Sequence, residues 1–353
     1  MLGFEREPAP ELVDTADDHV IFERTKSGFT HVATGIPLAA HADGHLSRAG
    51  SPIADGAPFT ACHGPERLPS EYLTFFREQG WVCLTSVLPP TTLDGLRQVA
   101  CTDAYAKGRY NRADPAISQH PAVACTAAEP ISLWLIRQYM QTDDIRLAHT
   151  PAMAVLGQDD GERVVQGWHS DYPYHWGVPA QGRVPSATGA TVLGVQRNVC
   201  VSDFTQIGGA TAFKLGSHAR DEPPPAAWGL ACDHIKPGYR AAHGLPYNGP
   251  DADIIEAPGG SIILYDARTW HRAGVNRTPH KRAAMLQAMV PMYVMPKSDT
   301  SAAYKHFMAS AAREQLNDRE QREIQNLMVH YFIGPGGQDV ISPDAELTAQ
   351  IGH

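Results

Sequence analysis

After Arg146 the chain breaks into short apolar runs: PAMAVLG, ERVVQGWHSD, GATVLGVQRNVCVSD, GATAFKL, ADIIEA, GSIILYD and KRAAMLQAMVPMYVM. Gly, Pro and Asp separate them. Runs this short between turn formers suit strands, and many such strands in series predict a β-sandwich or barrel. Helices precede the runs. Tyr72, Phe75 and Phe76 stand at helical spacing between Ser70 and Gln79, and Gly80 ends that segment. WVCLTSVL follows as a strand. Pro89-Pro90-Thr91 opens a second helix, with Thr91 and Asp94 in capping-box spacing. A third is expected near Ile131 to Met140. Helix returns over about 301–330. The expected fold class is therefore α+β, mainly a β core flanked by helices. Residues 1–68 read as an extension, 69–296 as the core, and 297–353 as a helical C-terminal segment packed on it. Residues 218–250, with Pro223-Pro224-Pro225, form an insertion that a lid, a binding loop or a disordered segment would explain.

Composition narrows the function. Of 353 residues, 43% are hydrophobic, enough for a sizeable core, and the net charge is −9. With no Lys/Arg run, a nucleic-acid or anionic-membrane partner is not expected, and a small-molecule substrate is the default. No run of about 18 apolar residues occurs to span a bilayer. The start, MLGFEREPAPEL, lacks the apolar stretch of a secretory signal. Six scattered cysteines without a CxxC read as free thiols in a reducing compartment, so a cytoplasmic location is expected. The Asn276-Arg277-Thr278 sequon is read as chance. Oligomeric state has no signature here.

The stretch GWHSDYPYHWG carries the chemistry. If it lies on a strand, His169 and Asp171, two apart, aim at one point. An imidazole and a carboxylate are two-thirds of the facial triad that holds non-haem Fe(II) and leaves positions open. Alone, the pair is a weak signal, since such spacings arise by chance on ordinary strands. A third ligand has to arrive from a distant strand, and His271, after APGGSIILYDARTW, is the candidate. Eleven residues on, Arg282 begins KRAAMLQAMVPMYV and shares a face with Ala284, Leu286, Ala288 and Val290. Arginine on an apolar face needs a partner, and a small dicarboxylate supplies one bidentately.

Four stretches in this order resemble the phytanoyl-CoA dioxygenase-like family of Fe(II)/2-oxoglutarate-dependent oxygenases. They are SEYLTFFREQGWVCLTSVLPPTTLDGLRQVA, QGWHSD, VSDFTQIGGATAFKLGSHARDEPP and APGGSIILYDARTWHRAGVNRTPHKR, spanning roughly residues 69–295. The resemblance implies a double-stranded β-helix, a jelly-roll or cupin-like barrel with the metal inside one mouth. It implies His169, Asp171 and His271 as Fe(II) ligands and Arg282 as the anchor of the distal 2-oxoglutarate carboxylate. Gln166 and Thr211 are implied as further co-substrate contacts. Many members carry a serine two residues after the distal histidine; here that residue is Ala273, which shifts carboxylate binding toward Arg282 and another hydroxyl. Related halogenases lack the carboxylate ligand, so Asp171 points to hydroxylation of a C–H bond, with O2 consumed and succinate and CO2 released. Desaturation, epimerisation or cyclisation would use the same oxidant.

For the substrate, Tyr172, Tyr174, His175 and Trp176 are expected near the barrel mouth. Arg197 and Asn198 lie on opposite faces of one strand, so at most one looks inward; Arg197 would suit an anionic substrate or a surface ion pair. Trp228 and His234 in the insertion are further candidates, and His218 reads as structural. Two alternatives remain at this point: a cupin-like metalloenzyme that uses no 2-oxoglutarate, and a non-catalytic protein on the same barrel.

Overall fold

A computed structural model describes residues 67–105, 113–161, 166–172, 191–220, 222–228 and 252–329, and elsewhere only the backbone of short strands. Helix α1, Pro69–Gln79, starts with proline in its first turn, where no amide is needed. The Glu71 carboxylate accepts the Leu68 amide at 2.8 Å. Gly80, in the left-handed region at φ 72°, stops it. Helix α2, Pro90–Ala100, has Pro89 as its N-cap and no side-chain cap. The expected Thr91–Asp94 box does not form, because the helix begins one residue before Thr91. Asp94 instead accepts from the Tyr105 hydroxyl and from Gln98. Two short helices that sequence reading missed follow, α3 (Ala116–Gln119) and α4 (Pro121–Ala127). Helix α4 buries Ala122, Ala124 and Ala127, small residues that leave no strong periodic signal. Helix α5, Pro130–Met140, is capped by Glu129, whose carboxylate accepts the Ile131 and Ser132 amides.

All strand pairing is antiparallel. The large sheet runs β1 (Trp81–Leu84), β7 (Ile262–Asp266), β4 (Val195–Cys200), β9 (Arg282–Pro291), β2 (Ile145–Leu147), and β3 (Ala152–Leu156) also pairs with β9. A small sheet runs β6 (Asp253–Ile254), β5 (Ala212–Lys214), β8 (Trp270–Arg272). Every residue of β4 is buried, as expected for a strand covered on both faces. Its odd-numbered residues Val195 and Val199 join the helix-side core with Leu96, Leu133, Ile136, Leu264, Met285 and Met289. On the other face Cys200, Ile263, Tyr265 and Ala284 pack with Phe204, Phe213 and Ile255 toward the small sheet.

Helices α6 (Ser301–Met308), α7 (Ala311–Glu314) and α8 (Asp318–Met328) return to the helical layer, and Ile324, Leu327 and Met328 enter its core. The expected all-helical tail ends there: Tyr331–Gly334 and Gly337–Val340 pair as a β-hairpin. Within the N-terminal extension, strands Phe22–Thr25, Gly28–His31, Pro37–Ala40 and Leu46–Arg48 pair in sequence order. Among the described residues, no helix is long and apolar enough to cross a membrane. Cys83, Cys101, Cys125 and Cys200 are free thiols. Asn276 is buried and bonded to the Leu156 and His280 carbonyls, which makes it a structural residue.

Candidate active site

Two backbone features bring the expected ligands together. His169 and His271 form an isolated antiparallel bridge in which each amide donates to the other's carbonyl, at 3.0 and 2.9 Å. The expected strand through Asp171 is not continuous. Past His169 the chain turns, and the Asp171 and Tyr172 amides both donate to the Ala267 carbonyl, at 2.9 and 3.1 Å. Asp171 thus reaches the histidines through a turn tied to Ala267, not through strand alternation; residues 162–165 lie outside the described residues.

The three side chains are buried, and one candidate ligand atom from each lies within 4.8 Å of the others. His271 Nε2 stands 3.4 Å from Asp171 Oδ2. Ligands at adjacent positions on an ion with bonds of about 2.1 Å stand roughly 3 Å apart, so this pair needs little adjustment to share one. The Nδ1 atoms face carbonyls, His169 to Gly167 at 2.8 Å and His271 to Thr269 at 2.9 Å. A carbonyl only accepts, so both rings carry the proton on Nδ1 and leave an Nε2 lone pair for a metal. Burial, then the neighbouring His169, push His271 down to about 3, so it is neutral at pH 7. Burial alone would raise Asp171, but His271, Lys297 and His169 hold it well below the usual carboxylate range. Two imidazoles whose Nδ1 atoms face carbonyls, and a carboxylate, match the chemistry of an Fe(II) facial triad.

The triad opens onto a cavity of about 390 Å³. Gln166, Thr211 and Arg282 line it, as do Ala152, Ala154, Leu156 and Leu286. The Arg282 Nε donates to the Gly209 carbonyl at 3.1 Å, and its guanidinium carbon lies 4.8 Å from the centre of the Phe204 ring. Gly209, at φ 83°, has no room for a Cβ, which would meet the Asn276 nitrogen at 2.8 Å. Thr211 Oγ1 accepts from Asn198 Nδ2 at 3.4 Å. The Gln166 carbonyl accepts from the Ala273 amide, so Gln166 is held beside the position that lacks the serine.

Arg197 corrects an expectation. It is fully buried on the helix side of β4, away from the cavity. Its guanidinium donates to Gln287 Oε1, Ser132 Oγ and the Thr126 and Ala127 carbonyls. It clamps β4 and β9 to α4 and α5 and cannot meet a substrate. The inward residues of β4 are Gln196 and Asn198, and both line the cavity. Tyr172 packs on Ala148, Ala288 and Val290. Tyr174, His175, Trp176 and His234 lie outside the described residues. Trp228 sits edge-on to Trp168 and Trp270, with centroids at 5.2 and 5.9 Å. Those tryptophans precede His169 and His271 in extended backbone, so Trp228 packs on the face opposite the triad and is not a substrate contact. Several cavity or ligand neighbours escaped sequence reading, Gln196 and Arg272 among them. His149 and Tyr265 line the cavity, and Lys297 pairs with Asp171. Strand alternation from Gln196, which pairs with Tyr265 in register, could have found Tyr265; no local pattern marks His149 or Lys297.

Comparison with known proteins agrees with this chemistry. The family model described as phytanoyl-CoA dioxygenase (PhyH) matches residues 76–284, more than half of the chain. The site and the match define an Fe(II)- and 2-oxoglutarate-dependent oxygenase. The chain belongs to the phytanoyl-CoA dioxygenase family. The cupin-like and non-catalytic alternatives fall away with that membership. Similar solved structures include the non-haem α-ketoglutarate-dependent epimerase SnoN from nogalamycin biosynthesis, at 18% identity and TM-score 0.43 over 64% of this chain and 81% of that one. A complex of SnoN with Fe3+, α-ketoglutarate and nogalamycin RO gives 16%, 0.44, 64% and 84%. The carbocyclase SnoK from the same biosynthesis gives 17%, 0.43, 66% and 88%. No curated protein sequence matches the chain.

Proposed function

We propose that residues 69–296 form a double-stranded β-helix in which His169, Asp171 and His271 ligate Fe(II), and that the enzyme hydroxylates an unactivated C–H bond of a small molecule in the cytoplasm. The observation that carries this reading is the opening of three buried ligand side chains onto the same cavity as Arg282. The bound metal with 2-oxoglutarate and O2 supplies the oxidant, and succinate and CO2 are released. The protein's part is orientation and exclusion. The Gly167 and Thr269 carbonyls fix the imidazoles. Arg282, steadied by Phe204 and the Gly209 carbonyl, receives the distal carboxylate of 2-oxoglutarate, with Thr211 and Gln166 alongside. Ala152, Ala154, Leu156 and Leu286 keep water from the reacting centre.

The cavity wall at Gln196 is polar: its Nε2 is buried and meets no protein partner. Buried donors need acceptors, so an oxygen-bearing substrate suits this wall better than a hydrocarbon chain. Desaturation, epimerisation and cyclisation use the same protein groups and differ in the fate of the substrate after hydrogen loss. Hydroxylation is the simplest outcome, and the retained Asp171 carboxylate favours it over halogenation. The test is anaerobic addition of Fe(II), then 2-oxoglutarate, to metal-free protein. A weak visible charge-transfer band that needs both additions supports the reading. Fe(II) binding without a band contradicts it.

A further inference from the structure

Lys297 stands behind the candidate carboxylate ligand. It follows β9, and its neighbour Ser298 is fastened by a hydrogen bond from its amide to the Ala148 carbonyl at 3.0 Å. Two residues on, the Asp299 carboxylate accepts the Ser301 amide and hydroxyl at the start of α6. The backbone on the C-terminal side of Lys297 is therefore held, and its side chain is three-quarters buried, at 25% exposure. Its ammonium lies 5.2 Å from the centre of the Tyr172 ring and donates to Asp171 Oδ1. The other oxygen, Oδ2, is the one beside His271 Nε2. The two oxygens of one carboxylate thus have separate duties.

We propose that Lys297 is a positioning residue, which holds Oδ1 of Asp171 so that only Oδ2 reaches the metal. The proposal rests on Asp171 being a ligand. Three protein donors leave three positions on a six-coordinate ion, enough for a chelating 2-keto acid and one small molecule. A carboxylate free to swing and chelate through both oxygens fills one of these three. Lys297 prevents this by occupying Oδ1 with a charge-assisted hydrogen bond. The Tyr172 ring and the anchored backbone limit how far the ammonium can wander.

The probe is Co(II), whose ligand-field absorption reports coordination number and geometry, added to metal-free full-length protein. Lys297→Met is expected to bind Co(II) with an altered ligand-field spectrum before any 2-oxoglutarate is present. Affinity of that complex for 2-oxoglutarate then falls about tenfold. Lys297→Arg restores both, since it returns a cationic donor. Lys297→Leu, which also carries no donor, serves as the second variant if the methionine protein does not fold, with the same spectral change expected. A wild-type Co(II) spectrum in Lys297→Met or Lys297→Leu overturns the positioning role, even if thermal stability drops. Asp171→Ala separates the two levels: if it too keeps the wild-type spectrum, Asp171 is no ligand and the assignment of the metal site fails first.

Discussion

His169 and His271, 102 positions apart in the chain, exchange both backbone hydrogen bonds across one antiparallel bridge, with ring centroids 4.3 Å apart. Directly opposed residues present their side chains to the same side of the pair. The bridge therefore sets the spacing of the two imidazoles through the backbone. Removal of the metal is expected to leave the far-ultraviolet circular dichroism unchanged.

His271→Ala removes one ring and frees the Thr269 carbonyl. Fe(II) affinity is expected to fall by more than the roughly 100-fold that loss of an outer partner can cost. Anaerobic calorimetry or dialysis with iron analysis measures this, and retention of full affinity would remove His271 from the metal site.

Arg282→Ala should leave Fe(II) binding intact and weaken 2-oxoglutarate. Two charge-assisted hydrogen bonds are worth about 3 kcal/mol or more together, so the dissociation constant rises roughly 100-fold. Arg282→Lys keeps the charge but not the planar fork and should fall between the two. The titration follows the charge-transfer band.

Gly209→Ala acts on the same arginine from behind. The left-handed backbone and the contact at 2.8 Å leave no space for a methyl group. A loss of about 2 kcal/mol in stability is expected, with weaker 2-oxoglutarate binding because the carbonyl that steadies Arg282 moves. Denaturant unfolding and co-substrate titration check the two effects together.

Arg197→Leu should separate stability from function. It leaves Gln287, Ser132 and two helix carbonyls without their donor, at a cost of about 3 kcal/mol. The 2-oxoglutarate affinity of the folded variant is expected to match wild type. A specific loss of substrate turnover at unchanged melting temperature would return Arg197 to the active site.

The metal-free protein should lose stability as pH falls. His271 is neutral when folded down to about pH 3, whereas an unfolded histidine takes its proton near pH 6.5. Between those values the unfolded state binds more protons, so stability rises with pH through the window, by up to about 1.4 kcal/mol per pH unit for this group. Burial also lowers His149, His218 and His120, and these add in the same direction. Asp171, held low when folded, reinforces the trend near and below pH 4. Melting temperatures of metal-free protein from pH 7 to 4 should fall steadily; a flat profile contradicts the burial of these groups as neutral imidazoles.

Much of the candidate site was legible in the sequence because its identity is carried by residue type, order and separation. His169, Asp171, His271 and Arg282 combine metal and carboxylate chemistry with short apolar runs, and Gly80 and Pro90 punctuate helices through local backbone restrictions. These are properties of a residue and its near neighbours. Helix α4 escaped for the converse reason, since alanines give little contrast between faces.

What the tertiary structure alone decided is which face each side chain takes and what waits there. Arg197 and Asn198 are adjacent on one strand and alternate by necessity; only packing against α4 and α5 showed that arginine faces the helices and the amides face the cavity. Asp171 has the spacing of a strand partner but arrives through a turn fastened to Ala267. Lys297 lies 126 residues from the carboxylate it holds. Sequence determines the donors present and the local shapes they favour; long-range pairing decides which meet, because side-chain direction follows strand register and register is set by the whole buried core.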